Sequence, residues 1–405
     1  MNSDTGSKPT GPLRGVKVVD LTSVLMGPYC TQILGDLGAD IVKIESPQGD
    51  TTRWLPIGKN AGMSGMFINI NRNKRGMVLN LKDPRGREIL LKLVSTADVF
   101  IHSMRFQAVS RLGLDYETIK AINPSIVYAN LYGYSRRGPR ANGGAYDDTI
   151  QAISGMAKLQ EKVIGKPNYV PTVIADKVTG LTAAYSVLAA LFERQRSGEG
   201  QEIEIGMYET MVTFLMSEHI GGHMFDPPIG PPLYERAVSS FRRPYCTSDG
   251  AVAVNIYTDG HFRTFARLVG DEPWADDPRF AKLSDRWANL EEFSAQVEAH
   301  MSRKPSAYWM DAFEKAGLPF APVQSLEELH KDPHLQAVGF FKPMETSEGT
   351  VRFPGIPSWF SRTPANIRES APRLGEHSAD ILKELGFSDD SIETYMRDGV
   401  TKRPT

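Results

Sequence analysis

The stretch Val16-Lys17-Val18-Val19-Asp20-Leu21, then Gly27 to Leu37, then Asp40-Ile41-Val42-Lys43-Ile44-Glu45 decides the fold. Two short runs rich in β-branched residues flank a helical segment, which predicts strand, helix, strand. Pro28 falls where the first helical turn tolerates it, and Gly38 follows the apolar run as a stop. Working outward, Met77–Leu81, Val99–His102 and Ile126–Leu131 read as strands, and Asp83–Ser95 and Tyr116–Ile122 as helices. Strands alternating with helices predict a mostly parallel sheet covered on both faces. An alanine-rich apolar helix is expected from Lys177 to Glu193, ending near Ser197-Gly198-Glu199-Gly200, then a strand Glu202–Gly206 and a helix around Tyr208–Met216. Pro227-Pro228-Ile229-Gly230-Pro231-Pro232 is poor interior for either element and marks a crossover. Beyond it, Val252–Tyr257, His261–Val269 and Leu290–Met301 suffice for a small α/β unit.

The 405 residues are 41% hydrophobic and 23% charged, ordinary globular composition with apolar matter for two cores. A net charge of −2 gives no basic field to recruit nucleic acid or an anionic membrane, so an anionic ligand needs a local cluster. Cys30 and Cys246 are far apart in sequence and form no CxxC pair, which argues against a disulfide framework or a cysteine metal site and suits a reducing cytoplasm. The polar start, Met1 to Pro12, lacks the apolar core of a signal peptide and is expected to be a loose lead-in. No apolar run is long enough to suggest a membrane span.

The first βαβ unit invites a dinucleotide reading with Glu45 on the ribose. The turn from Asp20 to Pro28 lacks GxGxxG spacing, however, and no GxxxxGK[ST] loop occurs. Around the third strand Arg72, Lys74, Arg75, Lys82, Arg85, Arg87 and Lys92 outnumber Asp83 and Glu88, an excess that suits a polyphosphorylated ligand. Arg85, Arg87 and Lys92 read better as a solvated helix face; Arg72, Lys74 and Arg75 could serve either role. His219 and His223 have i, i+4 spacing, but without an acidic companion and with Gly221-Gly222 breaking the helix they read as packing residues. Asp176 ends an extended segment and starts the long helix. It reads as an N-cap, a position where backbone N–H groups and the helix dipole would keep a nucleophilic carboxylate ionised. Asp147 and Asp148, beside Gly143-Gly144, are poor core material and could equally be turn residues.

Taken in order, Gly11 to Asp20, Gly27-Pro28, Leu37 to Glu45, Asn73-Lys74-Arg75, Arg111-Leu112-Gly113, Gly133-Tyr134, Gln151 to Gly155, Arg196 to Gln201, Asp332-Pro333-His334 and Leu374-Gly375-Glu376-His377 resemble the family III CoA-transferases. That family also contains the α-methylacyl-CoA racemases and the formyl-CoA and carnitine CoA-transferases. The resemblance implies a discontinuous Rossmann-like large domain, residues 1–225 and 320–405, with an inserted smaller α/β domain, 226–319, in an interlocked homodimer. It implies transfer of CoA from an acyl-CoA to a free carboxylic acid, with CoA as substrate and no tightly bound cofactor or metal. The catalytic aspartate maps to Asp176. Asp147 and Tyr146 map to substrate or acid/base positions, and CoA contacts map to Val24, Leu25, Met26, Arg75, Leu79, Lys82, Ser103, Met104, Arg111 and Met207. Ser103 replaces the family's usual Asn, and Ser46 replaces a common arginine. The alternative, racemisation α to the thioester, needs two opposed bases, and Tyr146 stands where racemases of this family carry histidine.

Overall fold

The computed structural model describes residues 10–404, so most of the expected lead-in lies outside the described residues. The chain divides into two compact units. The larger comprises the chain up to Met156, Tyr169–Leu215 and the part from Ala337 onward; the smaller comprises Ala157–Asn168 and Met216–Gln336.

In the larger unit the expected parallel sheet has six strands: β1 (Lys17–Leu21), β2 (Asp40–Glu45), β3 (Lys74–Val78), β4 (Val99–His102), β5 (Val127–Tyr132) and β6 (Gln201–Gly206). Every pairing among them is parallel, in the order β3-β2-β1-β4-β5-β6. This is the doubly wound order in which the winding reverses between β1 and β4, and a crevice opens there at the carboxyl ends of the strands. Val19 lies opposite Val42 on one side and Phe100 on the other, all three buried, which is why β1 and β2 read as nearly continuous apolar runs. β3 begins three residues before the expected start at Met77. Lys74 can occupy a strand in the core because its ammonium meets Asp20 at 3.3 Å, and both side chains are fully buried.

The outer edge of β3 is closed by sequence from the far end of the chain. Gly76 N donates to His377 Nδ1, Val78 N to Ser378 Oγ and Asn80 N to Val400 O, while Thr401 Oγ1 donates to Val78 O. Every edge group so satisfied is removed as a template for another chain. A hairpin of Phe341–Thr346 and Gly349–Pro354, unforeseen from the sequence, also belongs to this unit.

The long helix runs Ile174–Ser197, starting three residues before the expected Lys177. Gly180 lets it press against the helix Met26–Asp36: a Cβ there would stand 2.7 Å from Met26 O. The helix is long and apolar enough to cross a membrane by length and composition. Its Ala183, Val187 and Leu191, however, are buried within the unit, and Leu181, Tyr185 and Phe192 form an exposed stripe at helical spacing.

The smaller unit has a three-stranded antiparallel sheet, Tyr245–Cys246, Ala251–Val254 and Phe320–Pro322. Helices Asp259–Leu268, Leu290–Met301 and Ser306–Ala316 surround an aromatic core in which Phe262 meets Trp274 edge-on at 4.9 Å.

Candidate active site

Beyond β1 the chain must turn into the helix Met26–Asp36, and buried charge fixes how. Asp20 accepts from Thr22 N, Thr22 Oγ1 and Thr31 Oγ1 at 2.8, 2.6 and 2.6 Å, tying the strand end to the loop and the helix. Burial alone would raise its carboxyl. The ammonium groups of Lys74 and Lys43, with the two threonine hydroxyls, outweigh that and hold it below the ordinary value. Lys43, from the middle of β2, donates to Thr22 O and Asp50 Oδ2, both at 3.0 Å. Asp50 in turn accepts from Val24 N at 3.2 Å. Val24 adopts φ +68°, a left-handed conformation that a β-branched residue takes only when its surroundings compel it. The loop is thus set in shape before any ligand arrives.

The crevice is a cleft of about 1130 Å³ in the larger unit, at the reversal of winding. Of the sequence-predicted residues, Val24, Leu79, Lys82, Met104, Arg111 and Tyr146 line it. Leu25, Met26 and Met207 are buried in the core. Ser103 sits just beneath the loop, its Oγ accepting from Ser23 N at 3.2 Å. Arg75 is not brought to the cleft: its guanidinium is paired with Asp40 at 2.9 Å and Glu384 at 2.8 Å, because those carboxylates flank the amino end of β3. Arg72 and Lys74, the other basic candidates, are buried on Asp36 and Asp20. His219 Nδ1 accepts from Tyr234 N, and among the described residues no group of three or more His, Cys, Asp or Glu is gathered for a metal.

Asp176 is the third residue of the long helix, and Val173, not Asp176, occupies the capping position. Its N–H donates to Asp147 Oδ1 at 3.0 Å, and Asp147 Oδ2 accepts from Gln151 Nε2 at 2.6 Å. Asp147 is buried at the start of the helix Asp147–Ile153, whose preceding residue is the exposed, cleft-lining Tyr146. The carboxyl of Asp176 is pushed up to about 6, first by burial and then by the charge of Asp147, against a lowering hydrogen bond from the Met26 backbone. The helix terminus therefore does not keep this acid at low pKa, as its place in the sequence suggested. At neutral pH it is still ionised, and more basic than an ordinary carboxylate.

Sequence reading missed Asp20, Lys43, Asp50 and Lys402, all of which build or line this region. For Lys43 the signal was available, a lysine amid Ile41, Val42 and Ile44 in a strand buried on both faces. Lys402 carried none, lying 355 positions from Pro47, whose carbonyl it meets.

The family model for CoA-transferase family III matches residues 13–378. A succinate–glutarate CoA-transferase from Agrobacterium fabrum is 33% identical over 92% of this chain and 96% of its own. An acetyl-CoA:oxalate CoA-transferase from Acetobacter aceti is 34% identical over 95% of this chain and 98% of its own. Among solved structures, a CAIB/BAIF family protein from Brucella suis superposes with a TM-score of 0.80 at 31% identity, over 93% of this chain and 100% of that one.

Proposed function

The chain belongs to CoA-transferase family III, an enzyme family moving CoA between acyl groups, and on that premise we propose that Asp176 carries the acyl exchange. Its carboxylate attacks the thioester carbonyl of the donor, giving a mixed anhydride and CoA thiolate. The thiolate returns to the aspartyl carbonyl, expelling the donor carboxylate and leaving CoA as a thioester on Asp176. The acceptor carboxylate attacks that thioester, forming a second anhydride and releasing thiolate. Thiolate attack on the acceptor carbonyl then yields the new acyl-CoA and frees Asp176.

The observation that carries this reading is the surroundings of Asp176: a half-buried carboxyl raised to about 6, in hydrogen-bond contact with the backbone of Met26, the first residue of the helix that follows the cleft-lining Val24. A carboxylate with that pKa is ionised at pH 7 and is a stronger nucleophile than one at the ordinary value. The Met26 N–H that reaches it is available to the oxyanion that develops when the aspartyl carbonyl is attacked. The relatives named for succinate, glutarate and oxalate support a dicarboxylic acid as acceptor or donor. Racemisation is less well supported. His102 is fully buried, bonded to Tyr128 and Met104, and pushed down to about 4 by burial, so it offers no second base. We also propose a homodimer in a reducing cytoplasm; the exposed Leu181, Tyr185 and Phe192 stripe and the free Cys30 and Cys246 support it.

The test is mass spectrometry of the protein incubated with a panel of acyl-CoA donors and no acceptor. CoA should be found in thioester linkage on the peptide containing Asp176, and should be discharged by dicarboxylic acids. An enzyme that transfers CoA with no such adduct from any donor would require a different intermediate.

A further inference from the structure

The charged side chains around the cleft divide into those already matched and those not. Asp50 is paired with Lys43 at 3.0 Å, and Glu45 with the buried Arg53 at 2.6 Å, so the acids in the lining are neutralised from within. Lys82, Arg111 and Lys402 also line the cleft, and among the described residues none of the three has an ion-pair partner. Three unmatched cations around one cleft constitute a site for a multiply charged anion.

Lys402 is the unexpected member. Gly399, at φ +74°, turns the chain out of the helix Asp389–Arg397; Val400 and Thr401 are then pinned to the end of β3 through Asn80 N and Val78 O. A second opening makes this path possible: a Cβ on Gly375 would stand 2.8 Å from Lys402 O, in a left-handed conformation that side chains avoid. The ammonium so delivered donates to Pro47 O at 2.6 Å, in the turn after β2. One carbonyl occupies one of its three N–H groups. The other two have no protein acceptor within reach among the hydrogen bonds of the described residues.

We propose that Lys402 is a CoA-binding residue, supplying a cation to a phosphate of the nucleotide half alongside Lys82 and Arg111. This rests on the CoA-transfer reading and extends its binding site to the carboxyl-terminal stretch. The variant Lys402→Gln removes the charge and retains a side-chain N–H donor. Calorimetric titration with free CoA is expected to show about a tenfold weaker Kd at low salt, the effect of one charge-assisted hydrogen bond. That difference should shrink to about twofold or less in 0.5 M salt, because screening removes what the charge contributed. Lys402→Arg should retain most of the affinity. Equal losses at both salt concentrations would make Lys402 a brace for the Pro47 turn, and no loss at low salt would remove it from the site; either result overturns the proposal. Failure of the wild-type protein to bind CoA would overturn the reading beneath it as well.

Discussion

Asp20, at the end of β1, and Asp176, in the first turn of the long helix, are both withdrawn from water, yet their surroundings push them in opposite directions. Asp20 is enclosed by two threonine hydroxyls, a backbone amide and the Lys74 ammonium, so every lone pair that burial would orphan finds a donor. Asp176 has an amide from Met26 and, nearby, the like charge of Asp147, with no cation among the groups acting on it. The same side chain is made inert in one place and basic in the other by the donors around it. A structural acid is recognised by complete satisfaction, and a working one by what has been withheld.

Replacing each acid by its amide tests the contrast most severely. Asp176→Asn should lower CoA transfer by at least about 10⁴-fold, as loss of a covalent nucleophile does. Its folded state should be slightly more heat-resistant than wild type at pH 7. A carboxyl with a raised folded-state pKa contributes its stability at low pH and loses it as the pH rises toward about 6, so the amide escapes that cost. Comparable transfer rates in wild type and variant would reduce Asp176 to a helix residue. Asp20→Asn should do the reverse, unfolding in denaturant with a loss of about 3 kcal/mol because Lys74 is left buried without its counter-charge. A neutral result there would mean that the ammonium is neutralised at little cost.

A smaller effect separates the two carboxylates near the proposed nucleophile. Activity under kcat/KM conditions should fall about tenfold per unit as the pH drops below 6, where Asp176 takes up its proton. In Asp147→Asn one source of the upward push is gone, so that acid limb should move to lower pH by less than one unit. An acid limb that stays in place would assign the raised basicity to burial alone.

The class of fold was legible because β1 and β2 lie inside a doubly covered sheet, where burial on both faces writes apolar runs interrupted only by the buried Asp20 and Lys43. The start of β3 was misjudged because Lys74 looks like a loop residue until Asp20 is seen beneath it, a pairing across 54 positions that no local pattern encodes. The same blindness to distant partners turned Arg75 into a ligand candidate, since Glu384 is 309 positions away. Asp176 was singled out as the proposed nucleophile through whole-chain resemblance, while its local sequence suggested a cap and a lowered pKa. Its actual environment depends on Asp147 and Met26, which the fold brings to it from two other segments.

The closure of the β3 edge by His377, Ser378, Val400 and Thr401 has a consequence in time. The ribosome delivers β3 long before it delivers Thr401, 323 positions later. Throughout that interval the nascent sheet carries an open edge and a cleft lacking the wall formed by Gly399 and Lys402. Binding competence should therefore switch on late in synthesis, and pausing or premature termination upstream would leave a chain that is both inactive and adhesive.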